Sequence, residues 1–162
     1  MKIEQIKEVF DIDIGAPMPT ILSNEHHIYL IFYVSNIDPN WDGSTVHIRT
    51  ENNEGIATVK FERFAQFKFG SPNDESINGH PLYKFGLQPY SIQKVTESEW
   101  IEELIMINSV HPYHKDEQFS KYKHFIFFFH DTCFEIVAEG YSIEQNPEST
   151  MKEEIERVGK LL

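Results

Sequence analysis

The run Phe125-Ile126-Phe127-Phe128-Phe129, framed by His124 and His130, constrains this chain more than any other stretch. It is too short for a buried helix and rich in aromatic residues, so it reads as a strand that needs cover on both faces. His130-Asp131-Thr132 is turn-like, and apolar character resumes from Cys133 to Ala138, which returns a second strand beside the first. Alternation puts His124, Ile126, Phe128 and His130 on one face, and Phe125, Phe127 and Phe129 on the other. At a rise of about 3.3 Å per residue, the two imidazoles stand roughly 20 Å apart. They therefore cannot share one metal ion.

The remaining chain must supply the cover. His27 to Val34 is a dense β-branched and aromatic run, expected as a central strand. Ser35 to Gly43 reads as a loop, Thr45 to Thr50 as a half-exposed strand, and Asn52-Asn53-Glu54-Gly55 as the turn of a hairpin. Ile56 to Phe69 alternates as one long strand, except that Arg63 and Phe64 fall on the wrong faces. Either a bulge shifts the register there, the preferred reading, or Arg63 is an inward charge that needs a carboxylate. Leu82 to Val95, interrupted by Gly86 and Pro89, is expected as an irregular or edge strand. Ile3, Ile6 and Phe10 have the spacing of a short amphipathic helix, and Asp11 to Pro19 that of an edge segment or loop.

Two further helices are expected. Thr96-Glu97-Ser98-Glu99 fits a capping box, after which Trp100, Ile101, Leu104 and Ile105 form a stripe for the sheet; His111-Pro112 ends that helix near Ser109. Gly140 to Pro147 reads as irregular, and Thr150-Met151-Lys152-Glu153 opens a C-terminal helix with Met151, Ile155 and Val158 on one side. The expected fold is α+β: a curved, largely antiparallel sheet or partial barrel, with a mid-chain helix over 97–108 and a C-terminal helix packed on it.

A chain of 162 residues suits one domain spanning 1–162, and it buries enough surface to need no disulfide. Cys133 is the only cysteine, which excludes an internal disulfide and a Cys-rich zinc site; its apolar neighbours favour a small core residue over a nucleophile. The formal charge of −12 repels a phosphate backbone, so nucleic acid is not an expected partner. Neither a signal peptide nor an apolar run of membrane-spanning length is present, so the expectation is a soluble cytoplasmic protein with no membrane partner.

The strings Gly70-Ser71-Pro72-Asn73-Asp74-Glu75, Gly79-His80-Pro81-Leu82-Tyr83, Asn108-Ser109-Val110-His111-Pro112 and His124 to Glu135 resemble those of a widespread family of uncharacterised bacterial proteins. Asp13-Ile14-Gly15-Ala16-Pro17 resembles that family's amino-terminal segment. The resemblance covers most of the chain and implies a bacterial origin and one domain. It brings no activity, cofactor or partner.

Groups with chemical potential concentrate in the loop from Gly70 to Pro81 and around the Phe run. The ligand-binding candidates are Asp74, Glu75, His80, Tyr83, His111, His130, Asp131 and Glu135. A long loop on a rigid sheet is a common place for such residues, though a solvated connection explains it equally well. No His-Glu-x-x-His is present, and His111-x-x-His114 lies in a Pro-containing connection, so no metal signature is recognised and no cofactor is named. His130-Asp131 is preferred as a turn over an imidazole–carboxylate general base. Glu135, among apolar neighbours, is expected to pair with Arg63 or to carry a raised pKa. Gly-x-Ser-x-Gly, Walker and Gly-x-Gly-x-x-Gly motifs are all missing, which disfavours nucleophilic hydrolysis and nucleotide chemistry. The leading expectation is a module that binds a small ligand or protein partner near residues 74–83. The alternatives are a metal-dependent hydrolase or lyase using loop histidines and carboxylates, and an acidic immunity-type protein that neutralises a partner.

Overall fold

The computed structural model describes residues 1–35 and 55–162. The expected loop at Ser35–Gly43, the strand at Thr45–Thr50 and the Asn52–Gly55 turn lie outside the described residues, apart from Ser35 and Gly55. In chain order the strands are β1 (Lys2–Ile6), β2 (Asp11–Ile12), β3 (Thr20–Ser23), β4 (Ile28–Ser35), β5 (Ile56–Glu62), β6 (Gln66–Gly70), β7 (Ser91–Thr96), β8 (Lys123–Phe128), β9 (Cys133–Ala138) and β10 (Gly140–Asn146). The helices are α1 (Glu99–Asn108) and α2 (Met151–Gly159), with short 3-10 turns at Asp74–Gly79, Tyr83–Phe85 and Asp116–Phe119. All strand pairs are antiparallel. One sheet runs β1-β7-β8-β9-β6; the other runs β10-β5-β4-β2, with β3 also paired to β4. The α+β class and the curved antiparallel architecture are as the sequence implies. No helix among the described residues is long and apolar enough to cross a membrane.

The Phe run becomes β8, and Phe129 N–H donates to Thr132 O at 2.9 Å to close the hairpin into β9. Its parity sorts the side chains into two clusters. Phe125, Phe127 and Phe129, with Phe134, Ile136 and Ala138, face the other sheet and meet Leu30, Phe32 and Val34 of β4 and Val59 and Phe61 of β5. Phe32 sits edge-on to Phe129 at 5.2 Å, and Phe61 edge-on to Phe127 at 5.6 Å, contacts worth about 0.5–1.5 kcal/mol each beyond burial. On the opposite face, Ile126, Phe128 and Cys133 join Val95, Leu82 and Leu87, covered by Ile77 and Phe85 of the 73–87 segment. A third cluster packs Val158, Met151 and Ile155 of α2 onto Tyr29, Ile31 and Ile56. The Thr150–Glu153 capping box is present: Thr150 Oγ1 accepts from Glu153 N–H at 3.3 Å, and Glu153 Oε2 accepts from Thr150 N–H at 2.8 Å.

Several expectations are corrected. Residues 2–6 form an edge strand because β7 supplies a full ladder, Ile3 to Val95 and Ile6 to Ile92, which outweighs a weak helical spacing. Ile56 to Phe69 is two strands in different sheets. Arg63, at φ 45°, turns the chain between them, and Phe64 drops into the core. Arg63 is neither a bulge residue nor an inward charge: it is exposed and reaches Glu139 at 3.7 Å. β7 lies between β1 and β8 rather than at an edge, and Gly140–Asn146 is a strand paired with β5. In α1 the N-cap is Ser98, whose side chain makes no cap hydrogen bond, and Trp100 is the helix's buried residue.

Candidate functional site

The outer face of the first sheet gathers the chemistry. His124 on β8 and Glu135 on β9 lie diagonally across one strand pair, since Ile126 opposes Glu135 and His124 opposes Val137. The 73–87 segment folds over them. Asn73 Oδ1 accepts from Ser76 N–H at 3.1 Å, and Asp74 N–H donates to His130 O at 2.9 Å, which ties the segment to the β8–β9 turn. Leu82 and Leu87 anchor its far end in the apolar cluster, and His80 is buried between these attachments.

Glu135 stands between two imidazoles: Oε2 is 2.9 Å from His124 Nε2, and Oε1 is 3.4 Å from His80 Nε2. The hydrogen-bond partners assign the tautomers. Leu82 N–H donates to His80 Nδ1 at 3.1 Å, so that ring's proton is on Nε2 and faces the carboxylate. His124 Nε2 donates to Glu135, so its Nδ1 accepts from the Ser98 hydroxyl at 2.9 Å. The network thus runs from Ser98 through His124 to Glu135, and from Leu82 N–H through His80 to the same carboxylate. Burial works to raise the pKa of Glu135, but the hydrogen bonds from His124 and His80 outweigh it and hold the pKa down at about 2. This corrects both expectations for Glu135: its partners are histidines rather than Arg63, and its pKa is lowered rather than raised.

Cys133 precedes Glu135 by two residues and shares its face. Donor atoms of His80, Cys133 and Glu135 lie within 4.8 Å of one another. Burial, with the Glu135 charge adding to it, pushes the Cys133 thiol well above its ordinary pKa, so it is protonated at neutral pH. Trp100 roofs the centre. Its ring stands edge-on to His124 at 5.0 Å, its Nε1–H donates to Gln66 Oε1 at 2.8 Å, and Lys68 Nζ lies 3.8 Å from the ring centre.

The order Ser98, His124, Glu135 is that of a nucleophilic relay. Ser98, however, is only 5 % exposed. The cavity of about 440 Å³ lined by Glu144, Asn146, Glu154 and Arg157 and the one of about 190 Å³ beside Tyr29 and Lys60 both belong to the other sheet.

The structure separates the other sequence candidates. Asp74, His130 and Asp131 form a polar knot at the β8–β9 turn: Tyr90 O–H donates to Asp74 Oδ2, His130 Nδ1 is 3.1 Å from Asp131 Oδ1, and the Tyr90 and His130 rings meet edge-on. The Asp131 hydrogen bond raises the His130 pKa, and the Tyr90 hydrogen bond lowers that of Asp74. Glu75 and Tyr83 are exposed on the covering segment. His111 lies beyond α1 and accepts at Nδ1 from Tyr113 N–H at 3.2 Å. It repeats in His111-Pro112-Tyr113 the geometry of His80-Pro81-Leu82. Three participants escaped the sequence candidates, namely Ser98, Trp100 and Cys133, and His124, weighed from the sequence only against His130, belongs to the centre as well.

Beside this centre, the C-terminal half of α1 and its following turn expose Met106, Ile107, Val110 and Tyr113 at 61–89 %. Glu102, Glu103, Asp116 and Glu117, all exposed, belong to the same stretch. The chain matches no family model, no curated protein and no solved structure.

Proposed function

We propose that the protein is a binding module whose site is the imidazole–carboxylate centre under the 73–87 segment. One observation carries the reading: an ionised Glu135 is kept inside the protein between His80 and His124. A trio of apolar residues of similar size would pack as well or better, because taking charge out of water costs several kcal/mol per ion. Stability alone does not account for these groups; affinity for a ligand that exchanges with a histidine at Glu135 does. The negative carboxylate and the chain's charge of −12 favour a cationic ligand. The covering segment, held by polar contacts at one end and by leucines at the other, is the part that admits it. A bacterial origin, a cytoplasmic location and a small-molecule or protein partner belong to the same proposal.

The test is thermal unfolding of the full chain with alkylamines, guanidinium compounds and divalent cations in turn. A ligand present at 100 times its Kd adds about 2.7 kcal/mol of stability, which raises Tm by several degrees. At least one class is expected to do so in the wild type and to fail in Glu135→Gln. If no probe moves Tm, or if the shift persists in Glu135→Gln, the site is not the binding centre.

A second reading has its own support. Met106, Ile107, Val110 and Tyr113 are exposed apolar residues on a stretch that also exposes Glu102, Glu103, Asp116 and Glu117, which suits a partner presenting apolar residues among basic ones. Met106→Asp with Val110→Asp is expected to abolish capture of such a partner without altering Tm. Unchanged capture would remove this reading.

A further inference from the structure

We propose that the ligand of this centre is a borderline-soft divalent transition metal, zinc in class, held by the imidazole of His80, the thiolate of Cys133 and the carboxylate of Glu135. The inference rests on the reading that this centre binds a ligand, and it names that ligand's chemistry.

The geometry comes first. The three donors come from two elements, His80 from the covering segment and the other two from one face of β9, and they already lie within 4.8 Å of one another. Tetrahedral zinc, with bonds of about 2.0–2.3 Å, needs donors about 3.3–3.8 Å apart. Small side-chain movements close that difference. A Cys-x-Glu pair on a strand is also a natural half-site, because residues two apart point the same way. The donor types then choose the ion. A thiolate with an imidazole selects zinc-like ions over magnesium or calcium, which take oxygen donors. Three protein donors leave one position for water or a partner's side chain.

The neighbours fit the assignment. His124 donates from Nε2 to Glu135 Oε2, and its own Nδ1 is held by Ser98, so one carboxylate oxygen is fixed while Oε1 remains on the His80 side. Hydrogen bonds of this kind orient metal ligands and tune their affinity. His80, Cys133 and Glu135 are all largely enclosed, as a retained ion requires. Binding has a definite proton balance. The Cys133 S–H bond breaks and a sulfur–metal bond forms, releasing one proton to solvent. The His80 proton passes from Nε2 to Nδ1 through solvent, so the Leu82 N–H contact is given up. The site is therefore latent in the metal-free chain, and loading it moves residues 80–82.

The experiment is titration of the chelator-stripped full chain with cobalt(II), followed by zinc. One equivalent of cobalt is expected to give the ultraviolet band of a cobalt–thiolate bond, and zinc to displace it. One proton per ion should be released. Cys133→Ser should lose the band, and His80→Asn, on the covering segment, should weaken zinc by at least tenfold. Circular dichroism checks that both variants fold. No band, or a band that survives in Cys133→Ser, overturns the metal assignment. Should cobalt give no band while an alkylamine still raises Tm in a Glu135-dependent way, the inference fails and the binding centre stands; if neither binds, both fail.

Discussion

The two faces of the β8–β9 hairpin are made from the same consecutive residues and have opposite chemistry. Inward, Phe125, Phe127, Phe134 and Ile136 pack into the apolar cluster shared with the second sheet, with the Tyr141 ring against Phe125 and Phe127. Outward, His124, Cys133 and Glu135 alternate with them and carry an imidazole, a thiol and an ionised carboxylate, which the His80 imidazole of the covering segment also contacts. The inner face has the composition that maximises stability, whereas the outer face departs from it at three neighbouring positions. That departure is local, since Ile126 and Phe128 on the outer face are as fully buried as the inner phenylalanines.

If the inner face holds the fold, Phe127→Ala should have the largest effect, about 3–5 kcal/mol lost in denaturant unfolding, through cavity formation against Phe32, Phe61 and Phe134. A loss below about 1 kcal/mol would end the contrast at once. On the outer face, Glu135→Ala should cost about 2–4 kcal/mol by leaving two imidazole N–H groups without an acceptor. The joint replacement His80→Leu, His124→Leu, Glu135→Leu should recover most of that loss. If the triple variant is less stable than Glu135→Ala, the centre belongs to the fold rather than to binding.

Acid unfolding sharpens the same point. The folded pKa of Glu135 lies near 2, below its unfolded value near 4.3. Its stabilising contribution is therefore complete above the unfolded value and is lost as pH falls through that window toward 2. Glu135→Gln should flatten the stability curve between about pH 4.5 and 2; an unchanged slope there would place the acid limb elsewhere. The smallest effect is expected for Ser98→Ala, about 1 kcal/mol through the donor removed from His124 Nδ1. Because Ser98 makes no cap bond, helix content by circular dichroism should hold steady, whereas Thr150→Ala, which removes a real cap, should fray α2.

Legibility in the sequence follows the range of the force involved. The parity of β8, the Thr150 cap and the Gly70–Pro81 loop are local, and all three could be read from adjacent residues. The partners of Glu135 could not. The break in alternation at Arg63 and Phe64 marks the place, but it fits a bulge within one strand as well as it fits the left-handed residue that sends the chain into the other sheet. Along its strand His124 stands far from His130, which separates it from the other polar groups in the sequence. The relevant distance was across the hairpin to Glu135, which a register of 128 opposite 133 makes short. The capping-box pattern fits Thr96 with Glu99, whereas Ser98, the N-cap residue of α1, is followed three positions on by Ile101.

His80-Pro81-Leu82 has one further consequence. The N–H two residues on occupies Nδ1, so the imidazole's proton is placed by the tripeptide rather than by the protein around it. His111-Pro112-Tyr113 does the same at the surface. A preset of this kind is portable. Grafted at the lip of an unrelated scaffold, His-Pro-Xaa should deliver an imidazole with its N–H aimed outward, and nitrogen-15 chemical shifts of the free peptide should already favour that tautomer.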